Sequence, residues 1–155
     1  MCGRFTLSAN AQRLQDFFPL FEIPEAVARY NIAPTQTVMA VVQQEDGKPR
    51  ASSLRWGLIP SWAKDKKISA SLINARADSV AEKPAFRSAF KRKRCLIAAD
   101  FYEWKATGEK LKQPYFIHMK ENEPFAFAGL WEQWEAAEGE TVESCSIIAT
   151  GPMNS

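Results

Sequence analysis

Apolar and polar positions along the chain alternate mostly with the period of strands. Thr37 to Gln43 carries Val38, Met39, Ala40, Val41 and Val42, a β-prone run that ends at the turn Glu45-Asp46-Gly47-Lys48-Pro49. Ala51 to Leu58 reads as a second strand, so the pair predicts a hairpin. Ser8 to Phe18 has a different period: Ala11, Leu14, Phe17 and Phe18 recur at helical spacing, and Pro19 stops the helix. Asp78 to Phe90 is predicted to be helical in part, with Pro84 opening a turn. Arg94 to Trp104 reads as one long strand, and Tyr115 to Met119, Phe125 to Trp131 and Ser144 to Thr150 as three more. Strands that cluster late and do not alternate with helices argue against a doubly wound fold. The predicted class is α+β: one domain over residues 1–155, built on a mainly antiparallel, barrel-like β-sheet with a few short helices.

Composition narrows this picture. With 155 residues and 46% apolar content the chain can build one core, and a domain of that size buries roughly 68–70% of its unfolded surface. No apolar run approaches the roughly 20 residues of a membrane span. The first residues lack the apolar stretch of a signal peptide. The three cysteines, Cys2, Cys95 and Cys145, form no CxxC pair, and His118 is the single histidine. A disulfide framework, a zinc site and a His-rich metal site are therefore not expected. His118, in an apolar strand pattern, reads as a core or edge histidine. The expectation is a cytoplasmic protein without a metal site or membrane association.

Charge adds a partner class. The formal net charge is +2, but residues 1–47 sum to −2, residues 48–115 to +10 and residues 116–155 to −6. A basic segment of that strength can be a footprint for nucleic acid. A solvated face around Lys91-Arg92-Lys93-Arg94 is the plainer alternative.

Four places carry candidate chemistry. If Met1 is removed, Cys2 becomes the terminal residue, with a thiol of reference pKa about 8.5 and an α-amine of about 7.7–8.0. The amine can serve as base for the thiol, or both can attack one aldehyde and close a thiazolidine. An incidental small residue at position 2 is the alternative. Arg4 can stabilise a thiolate or hold a phosphate. Asn74 in Asn74-Ala75-Arg76-Ala77-Asp78 can orient a polar group without titrating, and Arg76 can pair with phosphate; an Asn-led turn capped by Asp explains the same residues. In Asp100-Phe101-Tyr102-Glu103-Trp104 a carboxylate among aromatics suits proton transfer, or is a rim group paired with the basic run. Trp56, Trp62, Phe86, Phe90, Phe101 and Trp104 lie within the basic segment, where aromatics can stack on unpaired bases, although most aromatics are core.

Together these segments resemble the SOS-response-associated peptidase (SRAP) family, the abasic-site processing proteins. The resemblance rests on Met1-Cys2-Gly3-Arg4-Phe5, Tyr30-Asn31-Ile32-Ala33-Pro34-Thr35, the run from Arg55 to Lys64, and Ile73-Asn74-Ala75-Arg76-Ala77. It continues through Pro84-Ala85-Phe86-Arg87, Arg94-Cys95-Leu96-Ile97, Phe101-Tyr102-Glu103-Trp104-Lys105 and Phe127-Ala128-Gly129-Leu130-Trp131-Glu132. Eight motifs in order cover essentially the whole chain. The resemblance implies binding of single-stranded DNA and capture of a ring-opened abasic deoxyribose by Cys2 as a thiazolidine. Asn74 would hydrogen-bond around the sugar and the Cys2 chain end, and Glu103 would move protons. Arg4 and Arg76 would hold flanking phosphates, while Pro34 and Trp56 would pack against or wedge neighbouring bases. No obligate protein partner and no metal or organic cofactor is implied. An autoprocessing cysteine-peptidase activity and a lyase activity also belong to what the family suggests.

Two departures accompany the match. The family reads Ile-Pro-Ala-Asp-Gly/Ser-Phe-Tyr-Glu-Trp where this chain has Ile97-Ala98-Ala99-Asp100-Phe101-Tyr102-Glu103-Trp104. One residue fewer separates Asp100 from Phe101, and a slip by one would turn Glu103 to the other face of a strand. The family pattern also runs on to Ile-His-x-Arg-Met-Pro, whereas this sequence stops at Ser155. The expectation is a domain lacking its C-terminal end, impaired in ring opening or in reversal of the crosslink. The competing readings are an N-terminal-nucleophile amidohydrolase or peptidase, and a noncatalytic single-strand-binding remnant.

Overall fold

The fold is described from a computed structural model for residues 2–20, 22–25, 27–105 and 113–151. It is α+β, with two sheets that are mostly antiparallel. The larger sheet contains β3 (Thr37–Gln43), β4 (Pro49–Trp56), β5 (Asn74–Arg76), β6 (Arg94–Ala99), β9 (Phe125–Glu135) and β10 (Thr141–Ala149), in the order β4-β3-β6-β9-β10-β5. A further pairing of β4 with β10 closes five of these strands into a barrel. The four joints from β4 through β3, β6 and β9 to β10 are antiparallel. Reversing direction at each of four joints returns β10 to the direction of β4, so the closing joint must be parallel. It is, with Ser144 opposite Arg55 and Cys145 opposite Trp56. Closure removes two edges that would otherwise be open to association.

The smaller sheet is β2 (Arg29–Ile32), β1 (Phe5–Leu7), β7 (Phe101–Lys105) and β8 (Pro114–His118), in that order. Its inner face joins the barrel core. Phe5 meets the ring of Trp56 edge-on at 5.0 Å and that of Phe127 at 5.6 Å, and Tyr102 meets Phe127 at 5.6 Å. A second cluster of Leu58, Ala75, Val80, Phe86, Ala89 and Leu130 lies under the segment that leads to α2 (Arg87–Arg92). Inside the barrel wall, Gly129 is a matter of space. A Cβ there would stand 2.9 Å from both Ile97 Cδ1 and the Ser146 carbonyl, closer than side chains tolerate.

The strands from Thr37 and Pro49 form the predicted hairpin, paired from Thr37–Arg55 to Gln43–Pro49. The helix α1 (Ala11–Phe17) is shorter than predicted because the backbone N–H groups of Ser8 and Ala9 are bonded to Asp100 instead. Asn10 caps it by accepting from Arg13 N–H at 2.8 Å. Between Asp78 and Phe90 the predicted helix is mostly turn, and the regular helix begins at Arg87. The single strand expected from Arg94 to Trp104 is two strands in two different sheets. The break is Asp100, which is buried. Its carboxylate accepts from Thr6 Oγ1, from Ser8 N–H at 2.7 Å, from Ser8 Oγ at 2.6 Å and from Ala9 N–H at 3.0 Å. This one side chain ties the exit of β6 to β1 and to the approach to α1. Among the described residues no helix is long and apolar enough to cross a membrane.

Candidate functional site

The two sheets meet at Cys2, just before β1. Its thiol is buried and donates to the Arg4 carbonyl at 3.6 Å. From the barrel side, β5 is held parallel to β10, with Asn74 opposite Ile147. Asn74 Nδ2 donates to the Cys2 carbonyl at 3.1 Å. Its Oδ1 is buried and has no hydrogen-bond partner among the described residues, so an acceptor stands ready beside Cys2. From the other side, β7 lies against the start of the chain, and Glu103 N–H donates to the Arg4 carbonyl at 3.0 Å. Alternate residues of a strand share a face, so Glu103 and Lys105 stand together, with Nζ 2.8 Å from Oε1. Gly3, Arg4, Asn31, Glu103 and Lys105 line a cleft of about 420 Å³.

Burial pushes the Cys2 thiol up to about 11, and the negative charge of Glu103 adds to the shift. The resting site therefore holds a neutral thiol beside an ion-paired carboxylate. All three cysteines are buried and free. His118 lies on the exposed strand β8, with Nδ1 2.8 Å from the Met119 carbonyl. Among the described residues no group of three or more His, Cys, Asp or Glu side chains is placed to hold a metal.

Thus three stretches of chain meet here: the first residues with Cys2 and Arg4, β5 with Asn74 bonded to Cys2, and β7 with Glu103 lining the cleft beside Arg4. The shortened link before Phe101 does not turn Glu103 away. The alternation restarts after Asp100, and β7 takes its facing from Tyr102 opposite Phe5 and Phe101 opposite Thr6. Arg4 is exposed, its guanidinium on the Gly3 carbonyl at 3.1 Å. Arg76, at the end of β5, is exposed and bonded through Nη2 to Asp78 at 2.9 Å, so a phosphate would have to displace that carboxylate. Pro34 is half-buried in the loop after β2.

Trp56 departs from expectation. It is fully buried, and so its ring has no free face to pack on a base. Instead it braces the site from behind. Its indole N–H donates to the Ile73 carbonyl at 3.0 Å, immediately before Asn74. Its backbone carbonyl accepts from Thr35 N–H at 2.8 Å, which pins the Pro34 loop. Asn31 and Lys105 were not singled out as site residues. Both stand within recognisable motifs, but their facing depends on cross-strand register, which no local pattern specifies.

The model of the family described as SOS response associated peptidase (SRAP) matches residues 1–155. The abasic site processing protein YoaM of Bacillus subtilis is 46% identical over 156 residues, covering 98% of this chain and 68% of that protein. The abasic site processing protein YedK of Escherichia coli is 33% identical over 153 residues, covering 90% of this chain and 65% of that one. A solved structure from Bacteroides thetaiotaomicron superimposes with a TM-score of 0.77 at 27% identity, over 96% of this chain and 68% of its own.

Proposed function

The chain belongs to the SOS response associated peptidase family, and we propose that it processes abasic sites by capturing them covalently through Cys2 in single-stranded DNA. The observation that carries this reading is the hold of Asn74, with its unpartnered Oδ1, on Cys2, whose following residues Gly3 and Arg4 line the cleft together with Glu103. An abasic deoxyribose in its open form presents an aldehyde. With Met1 removed, the Cys2 amine attacks that carbonyl, and loss of water gives a C=N bond. The thiol then adds across it: sulfur bonds to carbon, and the proton ends on nitrogen. The product is a thiazolidine ring that joins protein and DNA.

Each neighbour has a part in this scheme. Asn74 Nδ2 holds the Cys2 carbonyl, which fixes the amine, while Oδ1 accepts from a sugar hydroxyl or from the amine itself. Glu103, once it exchanges Lys105 for substrate, passes an amine proton to the hydroxyl that departs as water, and then carries the thiol proton to the ring nitrogen. The raised thiol makes such a base necessary at neutral pH. Arg4 at the cleft and Arg76 at the end of β5 bind phosphates on either side of the lesion. Pro34 packs on a neighbouring base, and Trp56 supports the loop that carries Pro34.

A denaturing gel of protein mixed with single-stranded DNA bearing one abasic site tests this directly. A slow band is expected that requires the lesion and disappears in Cys2→Ala. No band with the abasic strand would overturn the covalent reading. Glutamine hydrolysis indifferent to DNA would place the chain with amidohydrolases instead.

A further inference from the structure

We propose that Phe116, stacked on Phe101, is a platform for the nucleobase adjoining the abasic site. The inference rests on the DNA reading above and adds a binding subsite to it. Across the smaller sheet, Glu103 is paired with Phe116, and Phe101 with His118. Directly opposed residues of an antiparallel pair share a face at roughly 5 Å between Cβ atoms. Phe116 therefore stands on the same open face as Glu103, one strand beyond the cleft.

Three features make this ring pair a base-sized surface. Phe116 and Phe101 stack almost parallel, with centroids 5.0 Å apart and planes 18° from each other. His118 flanks Phe101 at 5.3 Å. Phe116 is nevertheless 63% exposed, so one face of the stack is covered and the other is open. An apolar ring held flat in water and backed by a second ring is poor as core and well suited to stacking on a π-face.

The surroundings select the occupant. The neighbouring cleft carries two cations, Arg4 and Lys105, against the one carboxylate of Glu103, a net positive lining that complements a phosphodiester chain. A lesion that lacks its base leaves each neighbouring base with one unstacked face. A ring one strand away from the reacting centre can take up that face while the sugar enters the cleft.

The test uses single-stranded DNA that carries a non-reactive tetrahydrofuran abasic analogue with 2-aminopurine beside it, on either side in turn. Binding by the wild-type protein is expected to quench the 2-aminopurine in one of the two positions. Phe116→Ala should abolish that quench and weaken binding at least about 5-fold, the low end for one base–aromatic stack. Phe116→Trp should restore both. Replacing the flanking base by a second spacer should remove the difference between wild type and Phe116→Ala. Equal affinity and equal quench in wild type and Phe116→Ala, at both positions, would overturn the platform. The gel with a true abasic site runs alongside. Stacking without a covalent band would overturn the capture reading alone, and a band with equal quench and affinity in wild type and Phe116→Ala would overturn the platform alone.

Discussion

Cys2 illustrates at the residue scale how burial and reactivity oppose each other. Holding the thiol among core side chains keeps it neutral up to about pH 11, whereas only a thiolate adds quickly to an electrophile. The rate of Cys2 alkylation by iodoacetamide, followed by mass spectrometry to separate it from Cys95 and Cys145, should therefore rise steeply from pH 7 to 10. The expected slope is about tenfold per pH unit, without levelling. Glu103→Gln should move the profile to lower pH, since the carboxylate charge helps hold the thiol up. A profile that levels near pH 8.5 would show an ordinary exposed thiol. Asn74 was readable in the sequence as a polar orienting group. What the sequence could not show was that its two amide atoms divide the work, one bonded to Cys2 and one left free, because that depends on where β5 lies against the first residues.

At the scale of elements the decisive residue is Asp100. An apolar run from Arg94 to Trp104 has the local look of one strand, because propensity reads each neighbourhood without knowing its sheet. The tertiary contacts cut it in two. Thr6, Ser8 and Ala9 supply the donors that hold a buried carboxylate at the corner, and β7 leaves for the other sheet. Asp100→Ala should strand two backbone N–H groups and two hydroxyls at once. Ser8 and Ala9 are half-buried, so water meets part of the loss, and about 2–4 kcal/mol is expected in urea denaturation, less than the full cost of about 1–3 kcal/mol for each of four unsatisfied buried groups. The covalent band should weaken as well, since β7 carries Glu103. A loss below about 0.5 kcal/mol would show that β6 and β7 do not need this staple. The hairpin of β3 and β4, by contrast, was legible to within two residues, since its alternation and its turn are both local signals. Its second strand ends at Trp56 because Gly57 adopts φ +129°, with the Ser69 carbonyl 2.6 Å from where a Cβ would sit.

For the whole molecule, closing the barrel around free thiols has a consequence for alkaline stability. Burial pushes Cys95 up to about 12 and Cys145 well above its ordinary value, alongside Cys2 near 11. Between about pH 9 and these folded values the unfolded chain loses thiol protons that the folded chain keeps. The unfolded state then binds fewer protons, so stability falls as pH rises through that window. Urea midpoints are expected to decline from pH 9 to 11. In Cys95→Ala and Cys145→Ala the decline should be shallower, even if each variant starts lower because of the cavity. Midpoints independent of pH over this range would contradict the burial of these groups.

Much was determined by the sequence alone. The α+β class, the hairpin, the late strands and the candidate residues Cys2, Asn74 and Glu103 all follow from local periodicity, from functional-group chemistry and from ordered motifs. Those signals are carried by neighbouring residues, so one chain suffices to read them. Only the tertiary structure decided that Trp56 is a brace behind the site, that Lys105 pairs with Glu103, and that Phe116 stands open beside the cleft. It also decided that the run at Asp100 serves two sheets. Each of these depends on which strand lies next to which and in what register. A shift of one residue exchanges the faces of a strand, and that choice is settled by contacts between parts of the chain far apart in sequence.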